Sequence, residues 1–201
     1  MSPATGAVPD TVVITHACTD GLGVWIQRQE SLYDDDGRPL WLEHPTYGRT
    51  VEVVAMPLTN LREVALHPYP LEDPSPGVLV GVTSEVNVVG FPLNMHHAGF
   101  LAIWARGTIA SEYHVDYDEL PLFLIDSRTR PGQSGSPVIL FSAGGHYQVE
   151  GEVSPRAGHL TKLLGIYSGR VNKDSDLGFV WRVRAIQEVV RAAVRPSESA
   201  P

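Results

Sequence analysis

RPGQSGSPV, Arg130 to Val138, stands between two short apolar runs, LPLFLI (Leu120 to Ile125) and VILF (Val138 to Phe141). Runs of that length and composition suit buried strands, which puts Ser134 in a tight loop joining them. Gly132 and Gly135 free the backbone to take angles closed to other residues, so the loop can aim the amides of Gly132 and Ser134 at one point. Two such donors stabilise charge developing on an attacked carbonyl, where losing one donor costs roughly 3 to 4 kcal/mol. The bland alternative is a Gly-Ser-Pro turn of a kind found in many β proteins. A strand-to-helix nucleophile elbow is disfavoured, because its motif is Gly-x-Ser-x-Gly and a helix would have to follow.

Downstream, LLGIYSG (Leu163 to Gly169) reads as a strand ending in Ser and Gly, where an extended peptide could pair. With the GQSGSP run and this strand in that order, the chain resembles the trypsin-like serine proteases of bacterial type, over about residues 10 to 195. The GQSGSP form is most similar to the glutamyl-endopeptidase and HtrA-like branches. The resemblance implies an all-β fold of two antiparallel barrels of chymotrypsin type with a short C-terminal helix, the first barrel incomplete. It implies Ser134 as acylating nucleophile, Gly132 and Ser134 as oxyanion donors, and Ser168, Gly169 and Arg170 as the substrate channel. Secreted animal relatives carry Asp where this chain has Gln133 and pair it with a newly cleaved N-terminus. Gln133 cannot form that ion pair, so no zymogen activation of that kind is expected.

The strand readings place Thr11–His16, Val24–Gln29, Leu40–Glu43 and Val51–Met56 in a partial first barrel, residues 1–70. A second unit, 71–195, takes Gly77–Val82, Val86–Val89, Leu101–Ile109, Leu120–Ile125, Val138–Phe141, Leu163–Tyr167 and Gly178–Val183. A helix over Arg184–Val194 closes it, with Ile186, Val189, Val190 and Val194 as its apolar stripe. Residues 196–201 read as a disordered tail. YDDDGRP carries an Asp-Gly turn signal; adjacent Asp34, Asp35 and Asp36 lack the alternate spacing of a calcium loop.

The base and the acid are irregular. No Thr-Ala-Ala-His-like motif occurs. His16, in VVITHAC, is the one stand-in, but only 15 residues precede it, too few for two strands and their turn at about 3.3 Å per residue. The other reading is that the base lies on a strand ahead of Met1, so that the true base is absent from this chain. In RTVEVVAMPL (Arg49 to Leu58), Glu52 stands where the family places its acid. It can orient an imidazole, although its extra methylene moves the oxygens; the alternative is a solvent-facing Glu on a strand. His96 and His97 are adjacent and would point to opposite faces of a strand. His44, His67, His114, His146 and His159 read as surface residues near loops.

Composition bounds the rest. A chain of 201 residues with 43% hydrophobic content can bury a core. Net charge −8 without a basic cluster argues against nucleic acid and anionic membranes as partners. A single Cys18 in an apolar run reads as a small buried hydrophobe and excludes an intramolecular disulfide. No ligand-spaced cluster points to a metal or cofactor, and no leader or membrane span is evident, so the chain as written reads as cytoplasmic, with secretion open to a longer form. The two functions carried forward are a serine endopeptidase acting on a peptide or protein substrate and a non-catalytic peptide-binding relative. An arginine turned inward among Arg128, Arg130 and Arg170 would favour an acidic residue before the cleaved bond.

Overall fold

The computed structural model describes residues 8–94 and 100–196. His96 and His97 lie outside those residues, as does most of the expected tail. The described chain is mostly β, with two sheets and one short helix.

Strands β1 (Thr11–Ala17) and β2 (Trp25–Ser31) form an antiparallel pair in which Thr11 faces Ser31 and Ala17 faces Trp25. The other six strands make one antiparallel sheet: β3 (Glu85–Gly90), β4 (Ile103–Ile109), β5 (Leu122–Ser127), β6 (Pro137–Tyr147), β7 (Arg156–Arg170) and β8 (Leu177–Arg182). Their order is β3-β4-β5-β8-β7-β6, and β6 returns to β3 through Asn87 opposite Ile139 and Val88 opposite Val138, so the pairing closes on itself. Alternating apolar positions then face a common interior: Val86, Val88, Phe123, Ile125, Val138, Leu164 and Val180 are all fully buried.

Helix α1 (Val183–Ala192) follows β8 directly. Its buried residues are Ala185 and Val189, with Ile186 partly covered. The expected stripe is therefore rotated, for Val190 and Val194 are both 43% exposed. The helix docks on Val51, Val53, Leu122 and Trp181, a cluster that joins residues on both sides of position 70.

Three expected strands do not form. Leu40–Glu43 and Val51–Met56 share a single bridge, Leu42 to Ala55, and Gly77–Val82 contributes one, Val78 to Val149. Pro39, Pro45 and Pro57 remove ladder donors at the ends of the first two segments, so neither extends into a ladder. In the described residues the N-terminal region thus holds a two-stranded sheet where a partial barrel was expected. Conversely, β6 and β7 run beyond their apolar cores as a ribbon that reaches Tyr147 and Arg156. Its outer residues are mostly exposed, so no hydrophobic pattern announced them.

The acidic turn forms as read. Asp34 Oδ1 accepts the amides of Arg38 at 2.9 Å and Asp36 at 3.1 Å, and the Arg38 hydrogen bond foremost holds its carboxyl below the usual range. Cys18 is buried, its amide bonded to the Val24 carbonyl at 2.9 Å. No helix among the described residues is long and apolar enough to cross a membrane.

Candidate active site

The loop between β5 and β6 exposes Ser134 and leaves two of its amides without an acceptor among the described residues. Gly132 (φ 93°) and Gly135 (φ 85°) take left-handed conformations that side chains resist. Between them Gln133 turns inward and is 1% exposed; its Oε1 accepts the Arg130 amide at 2.8 Å. The residue expected to lack an ion pair thus pins the loop from within as a neutral hydrogen-bonding group.

The loop amides divide cleanly. Gln133 N–H donates to the Arg130 carbonyl, Gly135 N–H to Tyr167 at 2.8 Å, and Ser136 N–H to Gln133 at 3.0 Å. The amides of Gly132 and Ser134 have no acceptor among the described residues. An idle amide pair beside an exposed serine is what an oxyanion seat requires. On the inner side the loop is braced by β3, because a Cβ on Gly90 would lie 1.9 Å from Ser136 Oγ, leaving glycine as the residue that fits.

Ser134 Oγ donates to the Ser168 carbonyl. Ser168 sits at a register shift in β7, between Tyr167 opposite Val180 and Gly169 opposite Phe179. That irregularity withdraws Ser168 from the ladder, as a bulge does, and leaves its carbonyl for the serine. The Ser168 hydroxyl in turn donates to Glu52 Oε2 at 2.6 Å. Residues 52, 134 and 168, far apart in sequence, therefore meet at Ser168 through two separate hydrogen bonds, one to its carbonyl and one from its hydroxyl. Glu52 is placed by its neighbours: Val51 and Val53 are 2% and 5% exposed in the cluster under α1, so the intervening side chain points away from that core.

Of the sequence-predicted residues, the fold gathers Ser134, Gly132, Ser168 and Glu52. His16 is elsewhere: it lies opposite Ile26 on β1, near enough to Glu30 to help lower that carboxyl, after the larger effect of the Thr59 hydroxyl at 2.7 Å and amide at 3.0 Å. It makes no hydrogen bond or ion pair to Ser134 or Glu52 among the described residues. No described histidine does. A carbonyl oxygen cannot take the serine proton, and no described histidine stands between Ser134 and Glu52.

Arg128 and Arg130 are exposed and Arg170 is half-buried, with the Arg130 and Arg170 guanidiniums bonded to the carbonyls of Thr129 and Lys173. None of the three is turned into a buried position. The inner residues there are Thr129 and Tyr167, whose hydroxyls bond each other; burial raises the Tyr167 phenol above its ordinary value.

Sequence reading missed two things. His44, expected at the surface, is 2% exposed: its Nδ1 accepts the Thr46 and Tyr47 amides at 3.2 Å, and its Nε2 lies 2.7 Å from Glu188 of α1. Pro45 and Gly48 signalled the turn, but nothing local signalled the helix that covers it. The Ser168 hydroxyl was also read only as channel lining, since its bond to Glu52 spans 116 residues. No protein-family model matches this chain, and no curated protein matches its sequence.

Proposed function

We propose that the chain is a serine endopeptidase of trypsin-like, chymotrypsin-fold type, attacking a peptide carbonyl through Ser134 and passing through an acyl-enzyme. The observation that carries this reading is that Ser168 bonds both Ser134, through its carbonyl, and Glu52, through its hydroxyl, in a loop whose Gly132 and Ser134 amides lack acceptors among the described residues. In the reaction the carbonyl oxygen gains negative charge as Ser134 Oγ adds to carbon, and the Gly132 and Ser134 amides hold that charge. The serine proton needs a base, which no described residue supplies; a base seated between Ser134 and Glu52 would take that proton and return it to the leaving amine. Glu52 would orient such a base and stabilise its cation. The resemblance of the GQSGSP and LLGIYSG runs to this family supports the same assignment.

The base decides how fast the reaction runs. Removing the histidine of such a triad costs about 10⁶ in kcat and leaves roughly 10³ to 10⁴ over water from the oxyanion seat and binding. With no described base in reach, a peptide-binding relative that retains the cleft is the second reading. A fluorophosphonate probe separates them: it is applied to the folded protein and to Ser134→Ala, each with and without free imidazole as an added base. Adducts on Ser134, faster with imidazole and absent from the variant, are expected. A folded protein that forms no adduct under either condition would leave the binding reading standing.

A further inference from the structure

His44 is the histidine among the described residues whose side chain is fully buried, and its two ring nitrogens face different parts of the fold. Nδ1 accepts the amides of Thr46 and Tyr47, both at 3.2 Å. A nitrogen that accepts carries a lone pair, so the proton of the neutral ring sits on Nε2. Nε2 stands 2.7 Å from Glu188 Oε2 on α1, at ion-pair distance but off the line of a hydrogen bond. The ring thus joins the 44–48 turn to the C-terminal helix.

From that ring the chain reaches Glu52 in short hydrogen-bonded steps. Gly48 N–H donates to the His44 carbonyl at 2.9 Å, Thr50 N–H to Tyr47 at 3.0 Å and Val51 N–H to Gly48 at 3.3 Å. Val51 and Val53 then enter the core beneath α1, and Glu52 between them meets Ser168. At the other end, Glu43 N–H donates to the Val194 carbonyl at 2.9 Å, which fastens the start of the turn to the end of the helix. Glu188 and the Tyr47 phenol, whose ring centre lies 5.1 Å from that of His44, are the titratable groups against the imidazole among the described residues. Glu43 and Arg49 pair with each other at 3.8 Å, and Arg191 of α1 pairs with Glu72.

We propose that His44 is a positioning residue for Glu52: the neutral ring closes the turn that sets Glu52 against Ser168, and a proton on Nδ1 opens that turn and lets Glu52 go. A second ring proton has no other nitrogen to occupy. On Nδ1 it replaces the lone pair with an N–H, which faces two amide donors with no acceptor between them. Glu188 attracts the resulting cation, but its carboxylate is 46% exposed and screened by solvent, whereas both lost bonds are partly buried. The ring therefore stays tied to the helix while the turn comes loose. Acid disengages Glu52 through a group that never touches Ser134. The consequence for catalysis rests on the function proposed above; the effect on the placement of Glu52 rests on the turn alone.

The test follows the full ¹⁵N-labelled chain by nuclear magnetic resonance from about pH 8 to about pH 5, the span in which histidines take up protons. At the upper end the His44 ring is expected to carry its proton on Nε2 and none on Nδ1. As the ring titrates, exchange of the Thr46 and Tyr47 amides, corrected for its intrinsic pH dependence, is expected to rise about ten-fold, the loss of one hydrogen bond each. The Glu52 and Ser168 amide resonances are expected to move with the same midpoint. His44→Asn, whose side-chain oxygen can accept the amide two residues on without titrating, is expected to keep the turn and abolish the response, while His159→Asn on β7 leaves the response in place. A proton on Nδ1 at the upper end, a Glu52 resonance that ignores the titration, or an unchanged response in His44→Asn would overturn the proposal. Should that variant not fold, the tautomer and the shared midpoint in the unaltered chain decide alone. Fluorophosphonate labelling with added imidazole reads the reaction separately. Acidification is expected to slow it roughly three- to ten-fold more in the unaltered chain than in His44→Asn. Equal slowing overturns the catalytic consequence, and a turn that opens as described with no labelling of either protein counts against the endopeptidase alone.

Discussion

The six-stranded sheet and the β1–β2 pair are made from similar residues but held by different forces. Phe123, Ile125, Val138 and Val180 are fully buried inside the closed sheet. None of the apolar clusters among the described residues includes a residue of β1 or β2, and Val13 on β1 is 58% exposed. Polar ties hold the N-terminal pair instead: Arg28 to the Arg62 carbonyl at 2.8 Å, Glu30 to Thr59, and the Ala65 amide to Ala17 at 2.8 Å. The difference bears on the site. Ser134, its two amides and Ser168 belong to the packed sheet, whereas Glu52 belongs to the N-terminal half and is fixed because its neighbours borrow the core beneath α1. The candidate site is thus assembled where the well-packed region captures one segment of the poorly packed one.

Truncation inside the sheet gives the largest contrast. Phe123→Ala is expected to destabilise by roughly 3–5 kcal/mol, against within about 0.5 kcal/mol for Val13→Ala, by chemical denaturation. Equal losses would break the comparison. Val53→Ala comes next, at about 2 kcal/mol for two buried methyls. Because Val53 adjoins Glu52, any peptidase activity should fall further than the shift in stability explains. Activity that simply tracks the folded fraction would mean the borrowed core does not position Glu52 for the proposed reaction.

The acid limb of stability tests the polar ties. Hydrogen bonds to Thr59 lower the Glu30 carboxyl below 4.5, so its stabilisation is complete above that value and lost as pH falls through the lowered one. Hydrogen exchange below about pH 4.5 should therefore rise first in residues 11–31, with β5 and β8 still protected. Exchange rising together in both regions would contradict this. The smallest effect is expected of Ser168→Ala, which frees one Glu52 oxygen; in the proposed reaction this lowers kcat/KM roughly two- to ten-fold. An unchanged value would remove Ser168 from the positioning of Glu52.

Much of the sheet was legible because its strands alternate or run apolar over short spans, as in VNVV and LFLI, between glycine and proline signals. The Gly132–Gly135 loop was legible because its special backbone angles leave a trace in residue type. What stayed hidden depends on partners distant in sequence. Leu40–Glu43 and Val51–Met56 have strand-like composition, yet strands need a neighbour and proline-flanked segments here find only one bridge. His44 looked like a loop histidine until a helix 140 residues later covered it.

The central claim, that the Gly132 and Ser134 amides form an anion seat for chemistry at Ser134, can be read directly by ¹H–¹⁵N spectroscopy with a peptide boronate. The Ser134 oxygen bonds to boron with no leaving group and its proton goes to solvent, so the adduct can form slowly without the base. Downfield movement of these two amide protons on adding the boronate is expected, with the amides of Gly135 and Ser136 little changed and no such movement in Ser134→Ala. Unmoved Gly132 and Ser134 amides on a boronate that is covalently attached to Ser134 would contradict the account.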